Sequence, residues 1–431
     1  MLEYKKILEK YSPSPDEIKK LESVSKGISD SISSYCETKK IKAIPKLVGS
    51  FSKNTNLKDG DLDIFIAFDR SYSEEFMENE GLKIGHYVIP DAVEKYAEHP
   101  YVTGMVDGIK VDIVPCFQIE FGEKKISAVD RSILHTEYVR KNLKENQHED
   151  VRLLKIFMKS IGVYGSEVKV SGFSGYVCEI LIIAFGSFFN VIKKFSETKG
   201  SFLYPENENR FDSPVVIIDP VDNGRNAGAA VSLENLSKMK LASKLFMRNE
   251  DEKFFKIEKT EKKVEYTDRG TCIKIFRLPR PDKTDDTVYP QAVHFRNALL
   301  KIMDDYHLEP IDSEVDVNDY IDVLIESRLC TSNRINIRKG PPVDVENALA
   351  FYDKWTKTDH ARGPYISGEN IYVDIEEKQM NIEEIIKDNI NKYSLGKNLD
   401  AYKGKIQILD IPKDGTRMKI LDMFFSRSLF E

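Results

Sequence analysis

The sequence has no closely spaced cysteines, no long apolar run, no surplus of positive charge and no internal repeat, and each shortage argues against a class of protein. Its five cysteines, Cys36, Cys116, Cys178, Cys272 and Cys330, stand singly. Without a CxxC or a Cys/His cluster, neither a zinc site nor a disulfide framework is expected, and all five read as core residues of a reducing compartment. The opening segment MLEYKKILEKYSPSPDEIKK is a charged amphipathic helix that lacks the apolar stretch of a signal peptide. The most apolar run, YVCEILIIAFGSFFNVI, carries Glu179 and is short for a bilayer span, so it reads as a core helix. A cytoplasmic protein without a membrane partner is expected. The formal net charge of −7 excludes a surface coated in positive potential, but leaves room for a local basic groove that takes nucleic acid.

What is present is a globular chain of 431 residues, 41% hydrophobic and 31% charged. That length accommodates about two to four domains. The pattern predicts an α+β multidomain protein. Residues 1–147 mix helices and strands. Ser14 and Pro15 open a helix over 14–38, and DLDIFIAF, YVTGMVDG and GIKVDIVPCF read as strands. A helix is expected in EGLKIGHYVIPDAVEKYA, and a hairpin turn at Asp107-Gly108. Residues 148–250 are mainly helical, in VRLLKIFMK, YVCEILIIAFGSFFNVIKKF and AAVSLENLSKMKLASKLF, with the extended VVIIDPVD between. The charge-dense RNEDEKFFKIEKTEKK reads as a linker or exposed edge. Residues 251–431 alternate strands such as TCIKIFRL and DVLIESRL with helices, as small α+β modules do.

The chemistry concentrates around GSFSKNTNLKDGDLDIF, residues 49–65. Side chains alternate along a strand, so Asp61 and Asp63 share one face while Leu62 and Ile64 take the other. Asp112, in KVDIVP, occupies a similar strand position, and an antiparallel neighbour would bring three carboxylates together. Such a cluster implies a divalent cation, and hard oxygen donors suit Mg²⁺. A lone DxD matches by chance; the preceding Gly49-Ser50 adds a second element. Gly-Ser leaving a strand offers backbone N–H groups and a hydroxyl to an anion, and Lys53 lies within reach of a phosphate. Phosphate pocket, metal ligands and third carboxylate together describe nucleotidyl transfer.

Gly49-Ser50, Asp61-x-Asp63 and the distant Asp112 resemble the signature of the polymerase-beta-type nucleotidyltransferases. More closely, VGSFSKNT, YAEHPYV, VDIVPCF, SAVDR, VRLLKIFMK, YGSEVKVSGFSGYVCEILI and the run from Val221 to Ser232 resemble the archaeal-type, class I CCA-adding enzymes. DDTVYPQ, RKGPPV and SLGKNL continue the likeness more weakly. The resemblance implies a nucleotidyltransferase palm over 1–147, a helical central domain over 148–250 and a C-terminal body and tail over 251–431. It implies template-independent addition and repair of the tRNA 3′-terminal CCA from CTP and ATP, with Asp61, Asp63 and Asp112 holding two Mg²⁺ ions. Two departures concern the metal geometry: Asp61 stands where the family often has Glu, and the loop before it is one residue shorter. Lys53 stands where Arg is common, which keeps the charge but loses the bidentate fork.

The same resemblance carries Ser50, Lys53, His135, Lys155 and Tyr164 to the nucleotide, and Arg225 to its base edge. Glu98 and His99 become neighbours of the primer end. Read from residues alone, Arg225 is a salt-bridge partner of Asp219 or Asp222, and Arg152, Lys155 and Lys159 are one solvated helix face. GFSGY at 172–176 falls short of a nucleophile elbow because Tyr176 replaces the last glycine. Basic clusters occur at Arg334, Arg338 and Lys339 and again at Lys403, Lys405, Lys413, Arg417 and Lys419, while Phe424 and Phe425 read as core. The resemblance assigns these C-terminal modules to the tRNA acceptor arm, whose A-form shape, phosphates and 2′-hydroxyls a protein reads. Self-association as a homodimer stays open. Two rivals share the sequence features: a poly(A)- or oligoadenylate-type nucleotidyltransferase, and a non-catalytic RNA-binding protein of the same fold. An aminoglycoside-type transferase would leave a whole domain's length of C-terminal chain without a role.

Overall fold

The Ser14-Pro15 pair starts a long helix. Pro15 presets the helical backbone, the Ser14 hydroxyl accepts from the Glu17 N–H, and the Glu17 carboxylate accepts from the Ser14 N–H. This helix, α2 (Pro15–Lys39), follows the short α1 (Tyr4–Tyr11) and lays Leu21, Val24, Ile28 and Ile32 on a sheet. The computed structural model describes residues 3–96, 99–119, 129, 131–207, 210–257, 264–359, 362–412 and 416–428. Residues 1–260 form one unit and 261–428 another.

In the first unit, β1 (Ala43–Val48) runs into the four-residue helix α3 (Gly49–Ser52) and is followed by β2 (Leu62–Phe68) and α4 (Glu74–Val88). Next come β3 (Val93–Tyr96), β4 (Pro100–Val106) and β5 (Ile109–Phe117), and the five strands form a mixed sheet in the order β1-β2-β5-β4-β3. The helix expected over 80–97 starts earlier and stops at Val88, and its second half is β3. Pro90 explains the stop, since the residue before a proline is driven out of the helical region and Ile89 is at φ −128°. The hairpin turn lies where expected, with Asp107 and Gly108 both at positive φ. Leu62, Ile64, Ile66 and Phe68 face α2 and α4, while Phe65 and Ala67 pack with Val48, Cys116 and Ile133 on the opposite face. Asp63 shares that second face.

The rest of the unit comprises α5 (Arg131–Asn142), α6 (His148–Ser160), α7 (Gly175–Phe185), α8 (Phe188–Glu197), β6 (Phe202–Tyr204), β7 (Val215–Asp219), β8 (Asp222–Asn226) and α9 (Leu233–Arg248). The apolar run expected as one helix is two, bent by 93°. Gly186, at φ +89°, ends α7, and the Ser187 hydroxyl caps α8 by accepting from the Asn190 N–H. No single helix among the described residues is long and apolar enough to cross a membrane. The charge-dense stretch expected as a linker instead sinks Phe254 and Phe255 into a core with Phe157, Phe188 and Phe246. The two apolar residues outweigh the charges around them.

The second unit opens with β9 (Cys272–Pro279), α10 (Asp285–Asp305), β10 (Pro310–Val317) and β11 (Tyr320–Ser327). It continues through β12 (Ile335–Pro342), α11 (Ala348–Thr356), β13 (Arg362–Ser367), β14 (Asn370–Glu376), α12 (Ile382–Asn389), β15 (Gln407–Leu409) and α13 (Lys419–Phe425). One antiparallel sheet has the order β10-β11-β9-β15, and a second the order β12-β14-β13. Helices α10 and α12 cover one face of the first sheet, and Ile420, Leu421 and Phe424 of α13 pack on the other. Against the expectation of five single core cysteines, Cys272 and Cys330 form a disulfide, while Cys36, Cys116 and Cys178 are buried thiols. The antiparallel register sets Cys272 opposite Ser327, three residues before Cys330. A pairing made by strand register across 58 residues leaves no local spacing motif to read.

Candidate active site

Strands β2 and β5 are parallel, not antiparallel as expected, and their register sets Asp63 directly opposite Asp112. Helix α4, followed by the antiparallel β3–β4 pair, supplies the long return that a parallel pair requires. Asp61 lies just before β2. Burial, then the charges of Asp61 and Asp112, pushes the Asp63 carboxyl up to about 6. Asp112 Oδ1 is buried without a hydrogen-bond partner. The Lys110 ammonium reaches Asp61 Oδ2 at 3.0 Å and Asp112 Oδ2 at 3.2 Å. Burial opposes the charge on Lys110, but those two carboxylates outweigh it and raise its pKa. Three carboxylates, an unsatisfied oxygen and a cation already bridging two of them make a donor set that fits a divalent metal ion.

Gly49 abuts this cluster. It sits at φ +72°, and a Cβ there would lie 2.0 Å from Asp63 Oδ2. Replacing Gly49 with alanine is expected to strain the left-handed turn by about 1–2 kcal/mol and to push Asp63 aside. Divalent-metal affinity, measured by titration, should fall at least tenfold, and an unchanged affinity would detach Gly49 from the site.

Lys53 and Lys155 are not on a solvated surface. Lys155 is 1% exposed and Glu179 is 0% exposed. The Lys53 ammonium donates to Glu179 Oε2 at 2.6 Å, and the Thr55 hydroxyl to Glu179 Oε1 at 2.5 Å. Lys155 donates to the Thr55 carbonyl at 2.9 Å and stands 3.6 Å from Glu179 Oε1. Burial opposes the charge on Glu179, yet Lys53 and Lys155 hold its carboxyl below its usual range. Burial lowers the Lys155 pKa against the pull of Glu179. Arg152 is buried as well, donating to the Asn56 carbonyl and Asn54 Oδ1, so only Lys159 of the three expected surface cations is exposed. Helix α6 is enclosed along almost its whole length, which is why its basic residues turn inward to polar partners. Tyr164 is half-buried, and burial pushes its phenol pKa up.

His135 and Arg225 do come together. Both line a cavity of about 1030 Å³ whose wall also includes Tyr176, Arg131 and Asp222. His135 Nε2 and Arg225 Nη1 each lie 2.9 Å from Asp219 Oδ2. Tyr176 stacks on the His135 ring at 3.8 Å between centroids.

His99 is buried, with Nδ1 2.9 Å from Glu78 and 3.6 Å from Glu74, and its Nε2 has no partner. Glu98 lies outside the described residues, as does Lys413. Arg334, Arg338 and Lys339 are exposed on or beside β12, an edge strand. Arg334 stands 3.8 Å from Glu376, and Arg338 lies over the Trp355 ring. Lys403, Arg417 and Lys419 are paired with Asp400, Asp422 and Asp316.

Three family models cover most of the chain: a nucleotidyltransferase domain over residues 32–135, the second domain of tRNA nucleotidyltransferase over 149–256, and the C-terminal domain of CCA-adding enzyme over 269–410. The CCA-adding enzyme of Thermoplasma acidophilum is 52% identical over 430 residues, covering 100% of both chains. That of Thermoplasma volcanium is 51% identical over 100% of this chain and 98% of its own, and that of Picrophilus torridus 46% identical over 100% of both. The chain belongs to the CCA-adding enzyme family.

Four side chains of this CCA-adding family member escaped the sequence reading as site residues: Lys110, Tyr176, Glu179 and Asp219. Lys110 was legible, since it stands two residues before Asp112 on one strand and so shares its face. Glu179 left a weaker signal, a lone acid in an apolar helix, which implies a buried cationic partner without naming it. Asp219 was legible only as the salt-bridge partner of Arg225, which it is at 2.9 Å; Tyr176 left no signal, because its partners come from other elements.

Proposed function

We propose that this chain adds and repairs the 3′-terminal CCA of tRNA from CTP and ATP, without a nucleic-acid template, releasing pyrophosphate at each addition. The observation that carries the reading is the parallel β2–β5 register, with Asp63 opposite Asp112 and Asp61 at the strand mouth, in a chain matched along its length by CCA-adding enzymes. The C-terminal match to a CCA-adding domain favours this over a poly(A)- or oligoadenylate-forming relative. The gathered carboxylates favour it over a non-catalytic RNA binder, which gains nothing from repelling its ligand's phosphates.

Asp61, Asp63 and Asp112 would hold two Mg²⁺ ions. When bound, the ions supply Lewis-acid activation of the primer 3′-hydroxyl and charge stabilisation at the leaving pyrophosphate. Lys110 neutralises Asp61 and Asp112 in the metal-free protein. Gly49 and Ser50 offer backbone N–H groups and a hydroxyl to the triphosphate beside Asp63. Lys53 and Lys155, two cations sharing one carboxylate, supply a positive field from behind that turn, with Tyr164 next to them. Arg225 and His135 meet the base, and Glu98 and His99 meet the primer end. Arg334, Arg338 and Lys339 take phosphates of the acceptor arm. Residues 1–147 are the catalytic domain, 148–250 the central domain and 251–431 the tRNA-binding region, in a cytoplasmic enzyme.

The test is incorporation of labelled CTP and ATP, with Mg²⁺, into a tRNA transcript ending at the discriminator base. Addition of C, C and A followed by a stop is the expected product. Long A tails without C would move the chain to the poly(A) rival, and tight tRNA binding without incorporation would make it a binder.

A further inference from the structure

We infer that Asp219, which touches no substrate itself, is the positioning residue through which the proposed enzyme selects its base. The inference rests on the proposed function and on the cavity described above. Asp219 ends β7 and is 0% exposed. Its carboxylate accepts from His135 Nε2 at 2.9 Å, Arg225 Nη1 at 2.9 Å, the Tyr176 hydroxyl at 3.1 Å and the Val221 N–H at 3.1 Å. An ionised carboxylate has about four acceptor positions. All four are occupied, so Asp219 acts on a ligand only through its partners.

Those partners come from three separate elements, α5, α7 and β8, and all three side chains line the cavity. One buried carboxylate therefore sets the pose of three walls. Its bond to His135 makes Nε2 the protonated nitrogen and leaves Nδ1 as an acceptor. Burial opposes the charge on Asp219, but the His135 bond leads the interactions that hold the carboxyl down at about 2, with Arg225 adding to them, so the anchor stays ionised at neutral pH. Burial in turn lowers the His135 pKa against the pull of Asp219.

The ion pair to Asp219 is what gives Arg225 a reading role. A loose guanidinium could rotate to suit any base. Held by one nitrogen, it presents its other N–H groups in one direction. Cytosine N3 and adenine N1 are acceptors, whereas uracil N3 and guanine N1 carry hydrogen. A fixed donor suits the first pair and faces a second donor in the other, and a donor left unpaired once a bound base covers it is the kind of penalty from which discrimination arises.

The experiment is Asp219→Asn in the full chain, with kcat and KM measured for CTP, ATP, UTP and GTP on the same tRNA transcript. Inorganic tripolyphosphate, which has no base, serves as a competitor. The amide keeps the shape but removes the charge and one acceptor oxygen, and with it two of the four acceptor positions. KM for CTP and ATP should rise at least tenfold, the CTP-over-UTP ratio of kcat/KM should fall at least tenfold, and the tripolyphosphate inhibition constant should stay within twofold. Combining Asp219→Asn with Arg225→Ala should lower the ratio no further than Arg225→Ala alone. A folded D219N with the wild-type ratio, or losses that multiply in the double variant, overturns the inference. Should D219N not accumulate as folded protein, Tyr176→Phe removes one of the four donors and should lower the ratio about threefold; an unchanged ratio there also overturns it. A wild-type protein that itself fails to prefer CTP over UTP sinks the proposed function instead.

Discussion

Asp63→Asn is expected to abolish nucleotide incorporation and, in the same step, to make the metal-free protein more stable. Burial and the two neighbouring aspartates raise the Asp63 carboxyl from 3.8 to about 6. The folded state thus holds this proton more tightly than the unfolded chain does. The stability from that preference is complete below pH 3.8 and is lost as pH rises through about 6. Above that range the ionised carboxylate works against the fold, by about 1–3 kcal/mol at roughly 1.4 kcal/mol per pKa unit. Asparagine carries no charge to desolvate or repel. In EDTA at pH 8 the variant should melt higher than the wild type, and at pH 4 the two should coincide. Activity should move the other way. Losing a proposed metal ligand should forfeit several kcal/mol of transition-state stabilisation, which corresponds to about a thousandfold or more in rate. Incorporation within tenfold of wild type would remove Asp63 from the reacting centre. A variant melting at or below wild type at pH 8 would remove the electrostatic account of the cluster.

Glu179→Gln should produce the largest loss of stability of any variant considered. The wild-type carboxylate is fully buried between Lys53, Thr55 and Lys155. Removing its charge leaves two enclosed ammonium groups with no counter-ion, and stranding a buried charge in this way costs about 3–5 kcal/mol. For a unit of this size that is a fall in melting temperature on the order of 10 °C. Because Lys53 and Lys155 hold the Glu179 carboxyl below its ordinary 4.5, its contribution is present above pH 4.5 and is lost as pH falls through the lowered value. The gap between wild type and variant should therefore be full at pH 7 and close in acid. Calorimetry of both proteins across that range checks it. A variant within 1 °C of wild type at pH 7 would mean that water, not Glu179, satisfies the lysines.

These two residues mark the line between what the primary structure discloses and what it hides. Asp63 was legible because a strand alternates its side chains with a period of two, so two like charges on one face of an apolar strand signal a cation from local spacing alone. The same rule would have produced Lys110. The capped start of α2, the Asp107-Gly108 hairpin and the order of family motifs were also local, and the sequence alone determined them. The parallel pairing of β2 with β5, the Cys272–Cys330 bond, the enclosure of Lys53 and Lys155 with Glu179 and the gathering of His135 and Tyr176 on the Asp219 that Arg225 pairs with were decided only by the tertiary structure. Each joins groups 49 to 126 residues apart or drawn from separate elements. A one-dimensional period reports which face a side chain takes; it cannot report what the fold brings to that face.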